Sequence, residues 1–273
     1  MNYREISCAI VVSGLAGTAL GQATLQHGTD ASAYDSDMYG SVTDVIAVNG
    51  GPIFHVRDKP DSGESTTAQG ADIYVENTSS RPRRSPPNSN ENYNVGVFEF
   101  QLDAGNGFFD FLTFCLEPGI PLPGDLTTMQ GAEYELKELE DFGPTLTDEE
   151  ICDLELLWFN AFELTTTGDE MFTAQDYAAA FQLFVWEVAS DDTPFNLQGG
   201  EVGVFAVGGI ETRIVNIGNT WRDNIDDGIW TEKTELQFLF SEDGQDLLFP
   251  TPGAATLLAF AGIGAGTRRR RSA

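Results

Sequence analysis

The 273-residue chain carries 43 acidic residues against 14 basic ones, a formal charge of −29. Such acidity argues against nucleic acid or an anionic membrane surface as a partner, because both would repel it. It suits a soluble exported protein, and the length suffices for one large domain or two small ones.

Residues 1–21 read as a secretory signal peptide. Arg4 marks a short basic start, Cys8 to Leu20 is apolar, and Ala19 and Gly21 supply the small residues before a cut after Gly21, with Ala23 as the alternative. Residues 22–94 are polar, with Gly, Asp, Ser and Asn between short apolar runs. Val42 to Val48, Pro52 to Val56 and Ala71 to Glu76 are each expected as a strand. Thr78 to Asn94, with Pro82, Pro86 and Pro87 among Ser, Asn and three arginines, is expected as an exposed loop.

Val95 to Asp103 alternates in part, and Gly107 to Cys115 is rich in Phe. With Asp-Ala-Gly-Asn-Gly between them, the two runs predict a β-hairpin. Cys115 then lies near the end of a core strand, in Phe111-Leu-Thr-Phe-Cys-Leu-Glu-Pro118. Pro121 to Pro144 reads as acidic connection. Thr147 to Leu164 has Ile151, Leu154, Leu157, Trp158, Phe159 and Phe162 at helical spacing, opened by the capping-box pattern Thr147-Asp-Glu-Glu150.

After a Thr165-Thr-Thr-Gly168 linker, a second helix is expected from an N-cap at Thr173 through Ser190. Its stripe of Gln182, Val185, Trp186 and Ala189 falls at i, i+3, i+4 and i+7. An amide buried beside an indole must find partners or cost free energy. The two helices form a hairpin whose aromatic faces pack on the Phe-rich strands, and Trp158 and Trp186 are read as core. Beyond Pro194 come shorter apolar pieces at Val202 to Val207, Thr212 to Ile217 and Leu236 to Phe240, with a short helix at Thr220 to Ile225 and Glu235 to Phe240 as the closing strand, followed by Asp243-Gly244 and Gln245 to Phe249. The expected class is α+β: mainly β, sandwich or barrel-like, with an inserted α-helical hairpin.

The pairing of Phe114-Cys115 with the later Gln182-x-x-Val185-Trp186 resembles the thioester domain of bacterial surface adhesins, over roughly Val95 to Ala206. The resemblance implies that the Cys115 sulfur condenses with the Gln182 side-chain carbonyl and releases ammonia. Phe114, Phe181, Val185 and Trp186 would shield the bond. A partner's Lys amine or hydroxyl, on a protein or a polysaccharide, would then displace the thiolate. It further implies that Cys115→Ala and Gln182→Ala each abolish capture with little global unfolding. A disulfide between Cys115 and Cys152, or two free thiols, stands as the alternative in an oxidising compartment.

The C-terminal end has its own grammar. Pro250-Thr-Pro252-Gly253 precedes fourteen small or apolar residues and then Arg268, Arg269, Arg270 and Arg271. The apolar run is shorter than the ~20 residues of a spanning helix, and the arginines fit a cytoplasmic stop. The order resembles the PEP-CTERM sorting signal, which implies an exosortase acting near 250, after signal peptidase at the other end. The protein would touch the membrane only transiently and reside at the cell surface or in the extracellular matrix; a permanent short anchor is the alternative.

The expected organisation is thus 1–21 signal, 22–94 polar β-rich part, 95–249 thioester-domain-like region and 250–273 sorting tail. No enzyme, metal or cofactor is expected. His27 and His55 have no ligand partners at suitable spacing, no Gly-x-Ser-x-Gly elbow occurs, and Asp35 to Gly40 lacks the ligands of a calcium loop. A matrix structural protein without a thioester, and a carbohydrate-binding sandwich using the 78–94 loop, are the rival functions.

Overall fold

The computed structural model describes residues 53–58, 67–77, 89–103, 108–123, 131–142, 146–190, 194–199, 202–204 and 209–250. The signal peptide, the 42–48 strand, His27, Asp35 to Gly40, Pro252, Gly253 and the four terminal arginines lie outside them.

The elements, in chain order, are strands β1 (Ile53–Asp58), β2 (Thr67–Asn77), β3 (Ser89–Asp103), β4 (Phe108–Thr113) and β5 (Ala132–Glu138), then helices α1 (Asp148–Ala161), α2 (Leu164–Thr167) and α3 (Ala174–Ser190). Strand β6 (Val202–Val204), helix α4 (Ile210–Asp226) and strands β7 (Leu236–Phe240) and β8 (Leu247–Pro250) complete the fold. It is α+β, with one antiparallel sheet ordered β6-β2-β3-β1-β5-β7-β8 and β4 paired to β3.

The predicted hairpin is present, with Phe98 opposite Thr113 and Asp103 opposite Phe108. Three expectations are corrected. Strand β3 begins at Ser89, inside the segment expected as loop, because its polar first half pairs with β2 from Asn77–Ser89 to Ala71–Val95; only 78–88 of that loop remains, outside the described residues. The acidic connection contains β5, whose Ala132 and Tyr134 point inward while Glu133 and Glu135 face water, a period-two pattern hidden by charge. The pieces at 212–217 and 220–225 are one helix, α4, because Ile214, Ile217, Gly218, Trp221 and Ile225 share a buried face.

The sheet curls until β8 returns to the chain just beyond β4. Cys115 makes an isolated antiparallel bridge with Leu247. Leu248 N–H donates to Phe114 C=O at 2.8 Å, and Leu116 N–H to Asp246 C=O at 3.0 Å. This contact is a short bridge rather than a strand pairing, so no closed barrel forms among the described residues. The inside of the curl holds one apolar cluster, with Phe98, Phe100, Phe111, Cys115, Tyr134, Leu247 and Phe249.

The second, larger cluster lies between helices and sheet. Thr147 caps α1 in a full capping box: Glu150 N–H donates to Thr147 Oγ1 at 3.2 Å, and Thr147 N–H to Glu150 Oε2 at 2.7 Å. At the start of α3, Thr173 and Asp176 repeat the exchange, both bonds at 3.2 Å. Between them Gly168 holds φ 66° and ψ −168°, a conformation open essentially to glycine alone. Helix α3 packs on β2, β3, α1 and α4, and Ala178, Ala179 and Ala180 are all fully buried there.

Candidate functional site

Adjacent residues on an extended chain point to opposite sides. Accordingly Phe114 enters the cluster beneath the helices, while Cys115 belongs to the cluster inside the curled sheet. Phe114 stacks on Phe181 of α3 with ring centroids 4.2 Å apart. Trp158 of α1 and Phe162, the residue that caps its C-terminal end, meet Phe114 edge-on at 6.2 and 6.1 Å. These aromatic contacts fix the rotation of α3 against the end of β4, and one residue beyond Phe181 is Gln182.

Gln182 is fully buried. Its Oε1 accepts from the Cys115 backbone N–H at 2.9 Å, and its Nε2 donates to the Cys115 carbonyl at 2.7 Å. The partner that a buried amide demands is therefore the main chain of the cysteine that the motif pairs with it. The two bonds clamp the carboxamide against the Cα that carries the thiol. The Cys115 N–H already points at the amide oxygen, where negative charge would develop if sulfur attacked the amide carbon.

Cys115 is a free, buried thiol, which overturns the Cys115–Cys152 disulfide. Cys152 sits instead in the first turns of α1, within the cluster under the helices. Burial pushes the Cys115 thiol well above its usual range, and the charges of Glu117 and Asp246 push it further the same way. A thiol so placed is inert unless a base removes its proton.

Phe114, Phe181, Val185 and Trp186, expected as the shell, are all buried. Gln182, Val185 and Trp186 lie on α3. Of the sorting-signal residues only Pro250 is described: it closes β8, opposite Leu236. Proline is tolerated at a strand's end. The sequence reading missed Glu117 and Asp246. Glu117 stands two residues after the cysteine in its own motif, but an excess of carboxylates concealed it.

Helix α3 is held at its start by Arg213 of α4, whose Nη2 lies 2.9 Å from Asp176 Oδ1. Burial works against the ionised Asp176, but the hydrogen bonds from Arg213 and Thr173 prevail and its carboxyl stays below the usual range. Among the described residues no group of three or more His, Cys, Asp and Glu is arranged to hold a metal ion, and no helix is long and apolar enough to cross a membrane.

No protein-family model matches the chain, and no curated protein matches it. Among solved structures, the N-terminal thioester domain of fibronectin-binding protein SfbI from Streptococcus pyogenes is similar over 70% of this chain and 95% of that domain, with a TM-score of 0.36 and 13% identity. A likeness that distant establishes neither family nor function.

Proposed function

We propose that the chain is an exported surface or matrix protein that captures partners covalently through a Cys115–Gln182 thioester. The observation that carries this reading is the two-point hydrogen bonding of the Gln182 amide to Cys115, at 2.9 and 2.7 Å. In the forming step the thiol sulfur attacks the amide carbon while the Cys115 N–H stabilises the oxyanion, and the amide nitrogen leaves as ammonia. In the capture step a partner's amine attacks the same carbon, the Cys115 thiolate departs, and an isopeptide-like amide remains at Gln182.

Both residues are wholly enclosed, so water is kept from the thioester and a partner's nucleophile enters only on local opening. Export by the 1–21 signal and exosortase processing of the 250–273 tail belong to the same proposal, and would place the site at the cell surface. No catalytic turnover is involved.

A second reading is favoured by the completeness of the same hydrogen bonds. They satisfy both ends of the amide, as a purely structural glutamine would require, and the protein would then be a passive matrix component. The separating experiment incubates the folded chain with a fluorescent primary amine and maps the label. Label on Gln182, absent from Cys115→Ala, supports capture; an unlabelled wild type supports the structural role.

A further inference from the structure

The bonds of the bridge between β8 and the chain beyond β4 flank the Cys115–Leu247 pair: Leu248 N–H donates to the Phe114 carbonyl at 2.8 Å and Leu116 N–H to the Asp246 carbonyl at 3.0 Å. In an antiparallel pair of this kind the two residues' own N–H and C=O groups point outward, the Cα atoms approach to about 4.5 Å and the side chains lie closest. Both consequences are visible. The N–H and C=O of Cys115 turn away from β8 and are taken by Gln182, whose amide stands where a neighbouring strand would. The side chains of Cys115 and Leu247 share the cluster inside the curl, with Phe98, Phe100, Phe111 and Phe249.

The shell read from sequence, Phe114, Phe181, Val185 and Trp186, belongs to the other cluster, beneath the helices. It leaves the sulfur's own side to other residues, and there Leu247, fully buried, stands opposite Cys115. The wall round Cys115 is also thinnest at this seam. Strand β3 pairs with β4 over six residues and β7 with β8 over four, whereas β8 meets residues 114–116 through an isolated bridge. Two side-chain bonds cross it as well, the Thr113 hydroxyl to the Leu248 carbonyl at 2.5 Å and Gln245 Nε2 to the Glu117 carbonyl at 2.6 Å. A contact with so short a backbone ladder opens locally at less cost than a long one.

We propose that Leu247 is the lid over the Cys115 sulfur, and that a partner's amine enters where β8 parts from residues 114–116; this rests on the thioester reading above. With the seam shut, Leu247 keeps water from the bond. When it parts, the amine attacks the Gln182 carbonyl carbon and a C–N bond forms as the C–S bond breaks. The amine's proton passes to the departing sulfur, which ends as the Cys115 thiol.

The test follows methylamine uptake on Gln182 by intact mass in the full-length chain. Leu247→Ala is expected to react about tenfold faster than wild type or more. Leu247→Met, which nearly keeps the volume, should react at the wild-type rate. Leu154→Ala, a matched truncation in the cluster beneath the helices, should show no such gain. Equal rates in Leu247→Ala and Leu154→Ala overturn the lid and leave the thioester intact. A wild type that takes up no methylamine overturns the capture reading and the lid with it. Should Leu247→Ala not fold or not form the bond, hydrogen exchange in wild type decides. The Leu116 and Leu248 amides, which close the seam, are expected to be at least about tenfold less protected than the slowest amides of α3; equal protection overturns the entry route.

Discussion

Gln182 holds Cys115 by its main chain, with Oε1 on the N–H at 2.9 Å and Nε2 on the carbonyl at 2.7 Å, across 67 residues of sequence. The cysteine side chain takes no part in this contact, so the two residues contribute unequally to stability. In a Cys115→Ala background, where no covalent bond can form, adding Gln182→Ala orphans a buried N–H and a buried carbonyl. The expected cost is about 2–4 kcal/mol, measured by urea unfolding of the single and double variants. Gln182→Ala is therefore expected to unsettle the fold as well as abolish capture, which revises the expectation from sequence that both substitutions leave the structure alike.

Phe114 is fully buried and touches three aromatic rings, Phe181, Trp158 and Phe162. Phe114→Ala is expected to cost about 3–5 kcal/mol and to open space beside Gln182. In a chain carrying the thioester, hydrolysis should then quicken, read as the rate at which one water is gained in intact mass.

Gly168 turns the chain between α2 and α3 at φ 66°. A Cβ there would meet Ala174 N at 2.7 Å and Phe172 O at 2.9 Å, both backbone atoms with little freedom to yield. Gly168→Ala should cost at least about 1–3 kcal/mol. It should also shift the start of the helix that delivers Gln182, so a lowered Tm and slower capture are expected together.

Asp153 of α1 faces Arg222 of α4, with Nη1 to Oδ2 at 2.5 Å. Burial nevertheless prevails over the guanidinium and raises its carboxyl from 3.8 to about 6. A folded-state value above the unfolded one means that folding takes up a proton. The contribution to stability is thus full below about pH 4 and lost as the pH rises through 6, on the order of 3 kcal/mol. Unfolding free energies of wild type and Asp153→Asn, compared from pH 4 to 7, should show wild type losing ground relative to the variant as the pH rises.

Much of this site was readable because its parts obey local rules. The capping box at Thr147 and Glu150, the 3.6-residue periods of α1 and α3, and the Phe-rich hairpin each announce themselves within a dozen residues. Gln182 was conspicuous as an amide on an apolar stripe. What stayed hidden depends on tertiary pairing. The polar start of β3 is strand because β2 pairs with it, and β5 carries alternating charge that resembles a solvated connection. The β-branched residues of α4 suggest strand until Trp221 and Ile225 extend the helical period. Glu117 and Asp246, 129 residues apart, meet only because the sheet curls back on itself.

The most direct measurement is the intact mass of the purified protein, denatured and reduced, before and after methylamine. A mass one ammonia below that of the processed sequence, rising by one methylamine with the adduct on Gln182, is the result this account predicts. A mass equal to that of the unmodified sequence, unchanged by methylamine and accompanied by an alkylatable Cys115 thiol, would contradict it.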